Sequence, residues 1–119
     1  METRTLRSKN CTPCEGQTSP LTADEINALR QDIDCSWKVS SDAKSISREF
    51  ILRNFLAGIR FIQDIAAVAE KENHHPDIHL TGYRKLNIVL ATHAIGGLSE
   101  NDFILAAKID ALPVELRGA

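Results

Sequence analysis

All four histidines of this 119-residue chain lie between positions 74 and 93, so any acid–base chemistry it performs is concentrated in that stretch. An imidazole with an unperturbed pKa of about 6.5 can give or take a proton near neutral pH. His74 and His75 are adjacent and followed by Pro76. Glu70 and Glu72 sit just before them, in what reads as the last turn of a helix, where the helix dipole favours cations. A carboxylate placed against that preference can orient or charge a histidine. His93 follows the run Leu86 to Leu90 with opposite parity to Leu86, Ile88 and Leu90, so a regular strand turns it away from the core, just before the Gly96-Gly97 turn. His79, between Ile78 and Leu80, has no partner by spacing and reads as a surface strand residue. Asp102 stands three residues after Ser99, where the carboxylate of a helix capping box belongs, and that structural role alone would explain it. Arg48, among apolar strand positions, suits a buried or interface ion pair. Cys11-Thr12-Pro13-Cys14 has the spacing of half a zinc site or of a redox pair. Only Cys35 remains to complete either, and three cysteines cannot all pair internally, so free thiols or a metal are expected.

The elements that must position these groups can be read from periodicity and caps. Residues 1–20 hold two prolines, a glycine and two cysteines but almost no large apolar side chains, and read as a flexible arm preceding a domain over 21–119. Thr22 with Glu25 forms a capping box, and Leu21 can staple onto Ile26. That helix carries Ile26, Leu29 and Ile33 and ends near Asp34. Trp37 and Val39, then Ile46, Phe50 and Leu52, alternate with polar residues on either side of a polar turn, which is a β-hairpin pattern. From Asn54 to Glu72 the period becomes helical, and Pro76 is expected to end this longest helix. Ile78 and Leu80, a Thr81-Gly82 turn, and Leu86, Ile88 and Leu90 give a second hairpin. Ser99 to Asp102 opens a last helix that Pro113 stops. The order α-β-β-α-β-β-α predicts an α+β two-layer sandwich: a four-stranded antiparallel sheet with helices packed on one face.

Composition narrows the functional classes. Fourteen Lys and Arg against sixteen Asp and Glu give a formal charge of −2, with the basic residues scattered, which disfavours direct nucleic-acid binding. No apolar run approaches a membrane span, and the first ten residues lack the apolar core of a signal peptide, so a soluble cytoplasmic protein is expected. At about 100° per residue, the apolar positions of the Asn54–Glu72 helix span about 180°, wider than one sheet requires. The surplus predicts a homodimer, or a homotetramer built from dimers.

Together Glu70, His74-His75-Pro76, Tyr83, His93 and Asp102 form the pattern E-x3-H-H-P-x6-Y-x9-H-x8-D, which resembles the signature of the pterin-4a-carbinolamine dehydratases. The likeness extends over roughly residues 20 to 112, through Leu21 to Trp37, Ile46-x-Arg48-x-Phe50, Asn54-Phe55, Thr92-His93 and Gly97-Leu98-Ser99. The family's fold has the same element order. This chain departs from the family at Asn101, where a basic residue is common, and at Ile78, where an aromatic is common. The resemblance implies loss of water from a 4a-hydroxytetrahydropterin left by an aromatic amino-acid hydroxylase, regenerating quinonoid dihydropterin, with no metal and no cofactor. It implies His74, His75 and His93 as the active-site histidines, with Glu70, Pro76, Tyr83 and Asp102 binding or orienting substrate; which histidine is acid and which is base stays open. Some proteins of this fold act instead as assembly or dimerisation partners, and that non-catalytic role is the alternative reading.

Overall fold

The computed structural model describes residues 4–12 and 19–118. In chain order the elements are α1 (Arg4–Ser8), α2 (Ala23–Leu29), β1 (Lys38–Val39), β2 (Ile46–Ile51), α3 (Phe55–Glu72), β3 (Asp77–Thr81), β4 (Lys85–Leu90) and α4 (Glu100–Asp110). The strands form one antiparallel sheet in the order β1-β2-β4-β3. Register makes the sheet one-sided. Ile46 pairs with Leu90, Phe50 with Leu86 and Ile78 with Ile88, so these side chains share the face that is covered. Ser47, Glu49, His79 and Asn87 fall on the other face by the two-residue alternation of a strand. His79 is exposed there, as its flanking residues suggest.

Helices α3 and α4 lie against the apolar face. Asn54 caps α3 by accepting the Ala57 N–H at 2.8 Å, and Phe61 of α3 meets Phe50 of β2 edge to face at a centroid distance of 4.9 Å. Helix α3 ends at Glu72, as its periodicity predicts, but not because of Pro76. It stops at Asn73, whose left-handed conformation (φ 53°) lets the His74 N–H reach back to the Ala69 carbonyl at 3.2 Å. Asn tolerates that backbone region better than other residues with a side chain, and the closure satisfies a carbonyl left over at the helix end. The consequence is directional: the chain leaves α3 already turned toward β3. Helix α4 is buried over most of its length, from Asn101 to Ala107 and again at Ile109. It is held between α3 and α1.

The α1 contact corrects the reading of residues 1–20 as carrying no apolar side chain of consequence. Leu6 is 1% exposed and belongs to the core. Lys108 of α4 donates to the Arg7 carbonyl at 2.9 Å, and Lys9 pairs with Glu100. Local periodicity could not reveal this, because one leucine in a five-residue helix makes no pattern. Truncating it leaves a cavity against α4, so Leu6→Ala should cost about 2–4 kcal/mol and lower the melting temperature by about 10 °C. A thermal unfolding curve within 2 °C of wild type would remove Leu6 from the core account.

Candidate active site

Antiparallel pairing of β3 with β4 brings the histidines together. Asp77 at the start of β3 lies opposite Val89 near the end of β4, so His74 and His75, which precede β3, meet His93, which follows β4. They line one cleft of about 270 Å³, with Asn73, Thr92, Asn101 and Thr12 among its walls. His93 is exposed, but not for the reason its parity suggests. Strand β4 ends at Leu90, and His93 begins a 3-10 turn closed by Gly96 at φ 71°. The turn is pinned by the Thr92 N–H donating to the Gly97 carbonyl at 2.9 Å. Gly97 allows Pro20 to pack close, since a Cβ there would lie 2.9 Å from the proline ring.

His74 and His75 are each tied to a carboxylate, in contrasting surroundings. His74 Nε2 is 2.7 Å from Asp102 Oδ1, and Asp102 is fully buried. The other oxygen, Oδ2, accepts from the Thr92 hydroxyl at 2.8 Å and from the Ser99 N–H at 3.0 Å. With both oxygens accepting, His74 donates from Nε2 and its Nδ1 is the nitrogen left for chemistry. His75 Nε2 is 2.6 Å from Glu70 Oε2, but the side chains are 54% and 77% exposed. His75 likewise keeps Nδ1 available. Pro76 is half-buried behind the pair.

Tyr83 is not brought to this cleft. It sits with positive φ in the β3–β4 turn, 59% exposed beside Arg84, separated from His93 by the length of β4, about 20 Å for six residues. Glu72 faces away from the histidines. It is buried and accepts the Cys11 N–H at 2.7 Å, with Lys108 3.6 Å from its second oxygen. Arg48 does form an ion pair, with Asp110 at 2.7 Å, under the sheet and away from the cleft.

Two residues of the cleft wall were not foreseen. Asn101 accepts the Thr12 N–H at 3.0 Å through Oδ1 and donates Nδ2 to the Thr12 carbonyl at 2.6 Å, a two-point clamp across 89 positions of sequence. The only local signal for it is Asn101 itself, at the position where the chain departs from the family it resembles. Cys11 is half-buried beside the clamp, and burial, reinforced by the nearby Glu72 carboxylate, pushes its thiol from 9.0 up to about 12. Such a thiol stays protonated at neutral pH and is a poor nucleophile. Cys14 lies outside the described residues; among those described, no group of three or more metal-ligating side chains occurs.

A one-sided antiparallel sheet with helices on its apolar face, and with a histidine pair and a third histidine meeting at the end of one hairpin, defines a small α+β protein with a histidine-lined cleft. The chain belongs to the pterin 4 alpha carbinolamine dehydratase family, whose sequence model matches residues 19–112. A relative from Nitrosospira multiformis bearing that dehydratase's name is 46% identical over 107 residues, 90% of this chain and 91% of its own. The pterin-4-alpha-carbinolamine dehydratase 2, mitochondrial, of Arabidopsis thaliana is 42% identical over 92% of this chain and 60% of its own length. Among solved structures, a transcriptional coactivator/pterin dehydratase from Brucella melitensis superposes with a TM-score of 0.72 at 31% identity, covering 78% of this chain and 97% of that one. A pterin dehydratase-like RuBisCO assembly factor superposes with a TM-score of 0.54 at 25% identity, covering 64% and 87%. Among the described residues no helix is long and apolar enough to cross a membrane.

The buried thiol yields a check on how residues 11 and 12 sit. A pKa raised by docking stabilises the docked arrangement at pH below about 9, and that contribution is lost as pH rises toward 12. In a Cys14→Ser variant, iodoacetamide at pH 8 should label the exposed Cys35 well before Cys11. Equal labelling rates by mass spectrometry would show that Cys11 is not held in this pocket.

Proposed function

We propose that the chain dehydrates a 4a-hydroxytetrahydropterin to quinonoid dihydropterin and water, in the recycling of the cofactor of aromatic amino-acid hydroxylases. The C4a–O bond breaks as an acid supplies a proton to the departing hydroxyl. A base removes the N5 proton, and the electron pair left behind closes the C4a–N5 double bond. One proton is given and one taken, so no redox partner is called for. His74, His75 and His93 are the groups in the cleft suited to both roles, each transfer being worth about 10²- to 10⁴-fold. The carrying observation is the His74–Asp102 pair, in which a buried carboxylate fixes ring orientation and tautomer so that Nδ1 is presented to whatever occupies the cleft. Glu70 accepts from His75 in an exposed position, where it holds the ring far less firmly. A pair on one side and His93 on the other also allows hydroxyl to leave from either face of the ring.

Replacement of single histidines tests this, and the environments give each a different signature. His75→Ala and His93→Ala should lower turnover by about tenfold to a thousandfold with little change in melting temperature, since both residues are exposed. His74→Ala should lower turnover similarly and also cost about 1–3 kcal/mol of stability, because Asp102 Oδ1 is left buried without its partner. His79→Ala is the neutral control. Near-wild-type rates for His74→Ala and His93→Ala, above the uncatalysed background, would defeat the dehydratase mechanism and favour a binding role.

The same proposal includes self-association in the cytoplasm. Helix α3 buries Phe61, Ile65 and Ala69 against its own sheet but leaves Phe55 52% and Leu56 57% exposed, with Ile59 and Ile62 half-buried. Large exposed apolar side chains along one helix edge suit a two-fold contact with a second copy. Light scattering at micromolar concentration should give a dimer or tetramer mass; a monomer would sink this reading.

A further inference from the structure

Residues 11 and 12 are anchored to the two elements that hold His74. The Cys11 N–H is bonded to Glu72, two residues before His74, and the Thr12 peptide is clamped by Asn101, the residue before Asp102. Upstream, Leu6 is set in the core. The strap is therefore seated on the two helix ends that flank His74 and Asp102, without touching the His74–Asp102 pair itself. Thr12 also forms part of the surface of the histidine cleft itself. The Thr92 hydroxyl is committed to Asp102 and Ser99, and the Asn101 amide to the Thr12 backbone. The Thr12 hydroxyl is used by neither clamp. A neutral fused heterocycle with donors and acceptors along one edge is recognised by hydroxyl and amide groups rather than by charges, and such groups face this cleft.

We propose that Thr12, held in place by Asn101, is a substrate-positioning residue, and that the Cys11–Thr12 strap is a wall against which the pterin ring is seated. The inference rests on the dehydratase reading above. In this chain the residue before the buried aspartate does not reach for substrate with its own charge; it recruits a segment of the N-terminal arm to build that side of the site.

The test combines steady-state dehydration kinetics with direct binding of a non-reactive dihydropterin, followed by fluorescence, on the full chain. Asn101→Ala should raise both KM and the dihydropterin Kd about tenfold while kcat stays within about threefold, because the His74–Asp102 pair is untouched. Thr12→Gly, which keeps the backbone clamp and removes only an exposed side chain, should raise both about threefold, and Thr12→Ser should restore them. If Asn101→Ala does not fold, the Thr12→Gly and Thr12→Ser pair still decides. Wild-type KM and Kd in Thr12→Gly, with turnover normal, would overturn the strap proposal alone. A wild-type chain that neither binds dihydropterin nor dehydrates would overturn the dehydratase reading and the strap with it.

Discussion

A carboxylate with no solvent exposure has to be paid for by its partners, and the partners of Asp102 organise the rest of the site. An ionised group stripped of water and left unpaired costs several kcal/mol, so each of its oxygens must find donors. Oδ2 takes the Thr92 hydroxyl and the Ser99 N–H; Oδ1 takes His74. Those three donors come from the exit of β4, the start of α4 and the loop after α3. One buried charge therefore fixes how three elements meet, and the meeting point is the cleft. The capping box of Asp102 and its contact with His74 coexist, because each occupies a different oxygen.

The helix that carries Asp102 is secured at its far end by a second carboxylate. Asp110 Oδ1 accepts from Arg48 at 2.7 Å and from the Trp37 indole at 2.8 Å, while Oδ2 accepts the Asp34 N–H at 2.9 Å. Burial pushes the Asp110 carboxyl up, and these hydrogen bonds and the Arg48 charge offset that desolvation. Arg48 occupies the covered face of β2 between Ile46 and Phe50, with its guanidinium 4.4 Å from the Phe50 ring centroid. A charge in the middle of an apolar face is tolerated because α4 brings its counter-ion there. Held at both ends, α4 cannot slide along the sheet without breaking the Asp102–His74 pair or the partly buried Asp110–Arg48 pair.

What was legible in the sequence follows the range of the interactions. Thr22 with Glu25, Asn54 and Ser99 with Asp102 mark helix starts because caps act within three residues, and the strands show because burial on one face imposes a two-residue alternation. The grouping of His74, His75 and His93 came from the resemblance to a family pattern, and the β3–β4 hairpin is what brings them to one cleft. The end of α3 at Glu72 was legible from periodicity but its cause was not: the stop is made by Asn73, which reveals itself only through its left-handed backbone, and not by Pro76. Leu6 and the Thr12–Asn101 clamp were invisible, as both depend on contacts about ninety residues apart. Tyr83 shows the converse: its place in a motif says nothing about distance, and the β3–β4 turn puts it at the opposite end of the hairpin from His93.

The two carboxylate–histidine pairs differ in a way that bears on what each can contribute. The His75–Glu70 pair, more than half exposed on both sides, is screened by salt and free to rearrange, so its geometry is worth little as a constraint. The His74–Asp102 pair is shielded, and its carboxylate is over-determined by three donors. To the dehydration proposed above, which gives one proton and takes another, the two pairs bring a shielded histidine and an exposed one on adjacent residues, with His93 lining the same cleft.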